Sequence, residues 1–87
     1  MIIRWSLHAQ DRFCERALVL GINYGDIEYN IKEQRIKIKE KENTKTIFNV
    51  DKYILTAIKK ENKDYIHVIT LWEANEEEVR IWNMKKK

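Results

Sequence analysis

Arg35-Ile36-Lys37-Ile38-Lys39 is the stretch where the chain changes period. Two isoleucines alternate with three cations, so one face of an extended segment is apolar and the other charged. The alternation predicts a half-buried strand. Downstream, Glu42-Asn43-Thr44 reads as a turn and Lys45-Thr46-Ile47-Phe48-Asn49-Val50 as a second strand. Asp51-Lys52 is a tight connection into a third strand, Tyr53-Ile54-Leu55-Thr56-Ala57-Ile58. Glu61-Asn62-Lys63 turns the chain again. The fourth strand, 64–72, carries β-branched and aromatic residues on both faces, the pattern of a central strand covered on two sides. Short connections between successive strands predict antiparallel pairing.

Upstream of Arg35 the period is helical. Ser6 is a good N-cap, and an amphipathic helix follows over 7–20. At about 100° per residue, Leu7, Phe13, Cys14, Ala17, Leu18 and Leu20 fall on one broad apolar arc. His8, Arg12 and Arg16 fall on a flank, away from Gln10. Gly21 stands where a left-handed residue ends a helix, and Ile22 is placed to pack back. Asn23-Tyr24-Gly25-Asp26 can cap a second helix of about two turns, with Ile27 and Ile31 inward and an end near 31 or 32. Asn75 and Glu78 match a capping box ahead of Val79, Ile81 and Trp82. That predicts a short C-terminal helix, with a strand over 79–82 as the alternative. The expected fold is α+β: two N-terminal helices packed on one face of a four-stranded antiparallel sheet, with a short C-terminal helix. Residues 1–84 form a single domain and 85–87 a basic tail.

Eighty-seven residues leave no room for a second core. A chain this short buries roughly 60–65% of the surface its unfolded form exposes. Hydrophobic residues make up 44% of it, enough for one core, while the charged fraction of 36% exceeds the usual share. Lys, Glu and Ile dominate and proline is absent, a mix that suits a thermophile or an AT-rich genome. The net charge of +3 makes nucleic acid a reasonable partner without requiring it. Cys14 is the single cysteine, which excludes an internal disulfide and a multi-cysteine zinc site. Two histidines and one cysteine are too few for a metal set, and two glycines too few for a phosphate loop, so no cofactor is expected. The start Met1-Ile2-Ile3-Arg4-Trp5 is interrupted too soon for a signal peptide. No apolar run approaches the ~18 residues of a membrane span. The reading is a soluble, cytoplasmic protein.

His8, Arg12 and Arg16 recur every four residues, which stacks three side chains that can carry positive charge along one stripe. Neighbouring arginines at this spacing repel by a few tenths of a kcal/mol. Arginine forks suit phosphate oxygens, and an imidazole titrates near neutrality. Together they can grip a phosphodiester and move a proton beside it; the alternatives are a module that holds nucleic acid or an acidic protein without chemistry, and a structural homo-oligomer in which the stripe pairs across an interface.

The segment Ser6-Leu7-His8-Ala9 through Arg12, Arg16 and Gly21-Ile22 resembles the opening helix of the domain of unknown function family 4258. That family is marked by S-x-H-A-x-x-R-x-x-x-R, then a Gly-Ile step, a second helix and a run of antiparallel strands. The match is residue by residue in the first helix and by order of elements elsewhere. The family is similar to small toxin-like ribonucleases with a RelE, barnase or colicin-D kind of fold. The resemblance implies a helix pair against a four-stranded sheet, RNA as substrate, and a small antitoxin as partner. It marks His8, Arg12 and Arg16 as the motif residues. The segment after Trp72 departs from the minimal pattern, as an added element or a homodimer contact.

Each candidate also has a plainer reading. His8 acts as general acid or base, or else bonds locally in the first turn. Arg12 and Arg16 bind nucleic-acid phosphate and stabilise a pentacoordinate transition state, or else pair with Glu15, Asp26 or Glu28. His67 is a second catalytic candidate if it faces His8, and otherwise a surface residue of the fourth strand. Tyr53 and Thr70, with Thr46, are polar strand positions able to contact nucleic acid. Trp5, Trp72 and Trp82 can stack on bases or pack. Cys14 is expected to be an inert core residue.

Overall fold

The computed structural model describes residues 2–33 and 36–85. The alternating segment forms strand β2 (Ile36–Lys39), and β3 (Thr44–Val50), β4 (Tyr53–Glu61) and β5 (Tyr65–Glu73) follow it. These four are antiparallel neighbours. Arg35, placed in the first strand from sequence, lies outside the described residues. A fifth strand corrects the four-stranded expectation. β1 (Ile2–Trp5) pairs in parallel with β5, giving a mixed sheet of order β1-β5-β4-β3-β2. Ile2-Ile3-Arg4-Trp5 does not alternate apolar with polar, and its partner lies at Tyr65–Glu73, far along the chain. β5 is thereby interior, between β1 and β4, as its two apolar faces predicted.

The helices lie on both faces. α1 (Leu7–Arg12) continues through a π turn (Phe13–Ala17) and a 3-10 turn (Leu18–Leu20), and α2 (Tyr24–Glu33) follows. Ala9, Phe13, Ala17, Ile27 and Ile31 bury against Phe48, Leu55, Ala57, Ile66, Val68 and Leu71. α3 (Glu76–Lys85) covers the other face, where Trp82 meets Ile36 and Ile47. The strand alternative at 79–82 is thus ruled out. Of the expected basic tail, Lys85 is the last residue of α3, and Lys86 and Lys87 lie outside the described residues. No helix among the described residues is long and apolar enough to cross a membrane.

The first helix is not the uniform α-helix expected. Ala9, Phe13 and Ala17 are all buried, yet a four-residue step in an α-helix advances about 40°. Two steps would carry Ala17 away from the sheet. In the π turn the Leu18 N–H bonds to the Phe13 carbonyl, and its wider winding takes up that drift. The apolar arc is corrected with it: Leu7 and Leu18 are 80% and 55% exposed, and Cys14 is exposed rather than buried. Ala9, absent from the expected arc, takes the inward position. The helix ends as read. Gly21 has φ +81°, and the Ile22 N–H bonds to the Ala17 carbonyl at 3.1 Å with Ile22 buried.

Ser6 joins this helix to the sheet. Its Oγ accepts the Ala9 N–H at 2.9 Å and donates to the Ile69 carbonyl at 2.8 Å, and its own N–H bonds to the Val68 carbonyl at 3.0 Å. Ile69 is the residue skipped by the β4–β5 ladder, in which Ile58 faces Thr70 but Lys59 faces Val68. This bulge shifts side-chain parity, so Ile66 and Val68 share the helical face with Leu71. On that face Lys59 is fully buried. Its Nζ donates to the Ile31 carbonyl at 3.2 Å near the end of α2, and Glu61 lies 3.7 Å away. Burial pushes its ammonium below the usual lysine range, against the pull of Glu61.

On the opposite face Glu78 organises α3. The capping box is reciprocal: Asn75 Oδ1 accepts the Glu78 N–H, and Glu78 Oε1 accepts the Asn75 N–H, each at 2.9 Å. The same carboxylate accepts Thr56 Oγ1 at 3.0 Å and Trp72 Nε1 at 2.9 Å, and Lys45 Nζ lies 2.7 Å from Oε2. Glu78 is 1% exposed. Burial alone would raise its pKa, but Lys45 and the three donors outweigh burial and hold it below the ordinary carboxylate range. The charged form is therefore favoured by folding. Its contribution is present above the unfolded carboxylate pKa and is lost as pH falls through the lower folded value. Glu78→Ala should cost about 3 kcal/mol in urea unfolding at pH 7, because Lys45 and three donors lose their acceptor. The gap from wild type should narrow below about pH 4. A cost under about 0.5 kcal/mol would contradict this account.

Candidate functional site

The π turn that keeps Ala9, Phe13 and Ala17 inward also keeps His8, Arg12 and Arg16 on one flank. His8 and Arg16 are exposed and Arg12 is partly so. Arg12 Nη1 lies 3.4 Å from Glu15 Oε2, an ion pair with both side chains accessible. Such a pair is worth a few tenths of a kcal/mol and yields easily to a phosphate. Arg16 makes no ion pair among the described residues. Glu28, one of the alternative partners for these arginines, instead accepts the Trp5 indole N–H at 2.8 Å. The stripe thus offers two guanidinium forks and one imidazole to solvent.

The other sequence-predicted residues do not converge there. His67 stands opposite Arg4 on β1 and Lys60 on β4. Its neighbours Ile66 and Val68 bury on the helical face, so His67 points to the face that carries α3. The sheet therefore lies between His67 and His8. Thr70, opposite Ile58, shares the face of His67. Tyr53 packs against the helical-side core beside the Asp51-Lys52 turn, with Lys52 Nζ 5.6 Å from its ring centre. Thr46 is fully buried. Trp72 and Trp82 are engaged with Glu78 and the α3-side core. Facing direction is decided by the bulge at Ile69, which no local pattern in 64–72 announces.

Sequence reading missed a cleft on the Gln10 flank of the same helix. Trp5, Gln10, Tyr24 and Glu28 line a space of about 420 Å³. Gln10 Nε2 donates to the Trp5 carbonyl at 3.3 Å. Tyr24 stacks on Phe13 with centroids 3.8 Å apart and meets Trp5 at 4.7 Å, nearly perpendicular. The i, i+4 spacing of Tyr24 and Glu28 was a local hint of a shared side. Trp5 joins them only because β1 docks on β5.

No family model, curated protein or solved structure matches the chain.

Cys14 is exposed on the same helix. It should react with a thiol reagent in the native protein at close to the rate of the unfolded chain. Cys14→Ser should change stability by less than about 0.5 kcal/mol. Labelling that waits for global unfolding would place the thiol in the core instead.

Proposed function

We propose that the chain is a small cytoplasmic RNA-targeting protein of the toxin-like, metal-independent endoribonuclease class, with the His8–Arg12–Arg16 stripe as its site. The observation that supports this reading is the stripe itself. Three side chains suited to a phosphodiester lie along one helical flank, His8 and Arg16 exposed and Arg12 partly so, with one weak ion pair among the described residues. The resemblance of the first helix to that of family 4258 points to the same three residues.

The chemistry follows from their types. His8 accepts the proton of a ribose 2′-hydroxyl, and the 2′ oxygen attacks the adjacent phosphorus. The bond from phosphorus to the 5′ oxygen breaks, leaving a 2′,3′-cyclic phosphate and a 5′-hydroxyl. Water delivers the proton to the leaving oxygen, because His67 is on the far face of the sheet, and the hydroxide so formed takes back the proton held by His8. Arg12 and Arg16 hold the phosphate and neutralise the added charge of the transition state. A small antitoxin would silence such a protein by covering the stripe.

A second reading, a non-catalytic nucleic-acid-binding module, is favoured by another observation. Arg4 and Lys60 flank His67 in a row across β1, β5 and β4 on the other face, leaving the stripe with one imidazole. Purified protein, total RNA and a chelator separate the two readings. His8→Ala should lower the cleavage rate by about 10²–10⁴-fold with RNA affinity retained. Arg12→Ala should weaken both, and should reduce the salt dependence of binding by about one unit of slope. Binding without cleavage by the wild type selects the module. Affinity that ignores Arg12→Ala and Arg16→Ala removes the stripe from either reading.

A further inference from the structure

The cleft beside Trp5 has a chemistry that the phosphate-gripping stripe does not use. Phe13, Tyr24 and Trp5 have centroid separations of 3.8 Å (Phe13–Tyr24), 4.7 Å (Trp5–Tyr24) and 5.9 Å (Trp5–Phe13). These close a triangle with nearly a right angle at Tyr24. Phe13 therefore covers one face of the Tyr24 ring, while Trp5 stands at its edge. The outer face of Tyr24 is covered by neither ring, and the residue is 39% exposed.

Glu28 lies one helical turn after Tyr24, on the same side of α2. The bond from Trp5 Nε1 to Oε2 fixes the carboxylate, and a carboxylate accepts about four hydrogen bonds in all. Gln10 spends an amide N–H on the Trp5 carbonyl, which leaves its oxygen as an acceptor. An open aromatic face bordered by acceptors fits a flat ligand with adjacent N–H donors on one edge.

We infer that this cleft is a base pocket for guanine, stacked on Tyr24 with its N1–H and N2–H donated to Glu28. The inference rests on the RNA reading of the stripe and adds base selectivity to it. Guanine alone among the four bases offers two neighbouring donors on its Watson–Crick edge. Adenine and cytosine set a ring acceptor beside the amino group, which the carboxylate repels. Uracil offers one N–H between two carbonyls. The space of about 420 Å³ is broadly open to solvent, so a base would lie on Tyr24 as on a stacking platform. Gln10 shares its helix with His8 and Arg12, so one strand can place phosphate on one flank and a base on the other. A cationic peptide side chain would meet the same acceptors but would approach a chain of net charge +3.

The test uses the full chain and three 2′-O-methyl pentanucleotides, UUGUU, UUAUU and UUUUU, which cannot form the cyclic product. Fluorescence anisotropy should show UUGUU binding about ten-fold more tightly than the other two. Glu28→Gln keeps an oxygen for the Trp5 indole but sets an amide donor toward guanine. It should abolish the preference and leave UUUUU affinity unchanged. Arg12→Ala should weaken all three equally. Equal wild-type affinities that still respond to Arg12→Ala would overturn the base pocket alone. So would a guanine preference that survives Glu28→Gln. Failure of all three oligonucleotides to bind would overturn the stripe reading and this inference with it.

Discussion

One hydroxyl joins the two halves of the structure. Ser6 Oγ accepts from the first turn of α1 and donates to the Ile69 carbonyl at the bulge of β5, while the Ser6 N–H extends the β1–β5 pairing to Val68. Donors and acceptors at a helix start and at a bulge are the backbone groups most in need of partners. Here one residue serves both, and that fixes the height and angle at which α1 leaves the sheet. The burial of Ala9 and Phe13, the outward aim of His8 and Arg12, and the closeness of Gln10 to Trp5 all follow from that exit.

The two faces of the sheet are held by different physics. The face under α1 and α2 is an apolar core pierced by one buried ammonium, Lys59, that bonds to the Ile31 carbonyl. The face under α3 has a smaller apolar cluster and a buried carboxylate with four partners. Burying a charge is tolerable only when its bonding capacity is nearly filled. Glu78 meets that condition from three sources, namely β3 through Lys45, β4 and β5 through Thr56 and Trp72, and its own capping box. This explains how a ten-residue helix with so acidic a start sits firmly on a sheet.

The same layering divides the basic side chains. His8, Arg12 and Arg16 occupy the flank of a helix on one side, and Arg4, His67 and Lys60 cross three strands on the other. Arg4 lies over the Tyr65 ring, 4.7 Å from its centre. Any proton relay between the two histidines would have to pass through the sheet. The cleavage we propose has a single imidazole available on the stripe, which is why its proton reaches the leaving oxygen through water.

Local chemistry in the sequence was enough for much of this. Alternation marked the strand at Ile36, and runs of β-branched and aromatic residues between turn signals marked the three that follow it, because both signals are local. Asn75 and Glu78 marked the start of α3, and Gly21 marked the end of the first helix, because caps are set by bonds within a few residues. The four-residue spacing put His8, Arg12 and Arg16 on one flank. What the tertiary structure decided lies in pairings between distant segments. β1 became a strand because β5 offered an open edge, with Ile3 against Ile66 and Trp5 against Val68. The first helix wound into a π turn because the sheet required Ala9, Phe13 and Ala17 together, and this turned Leu18 and Cys14 outward. The bulge at Ile69 sent His67 to the face opposite His8. Each of these outcomes is a choice between local conformations of similar energy, settled by burial and hydrogen bonds contributed from elsewhere in the chain.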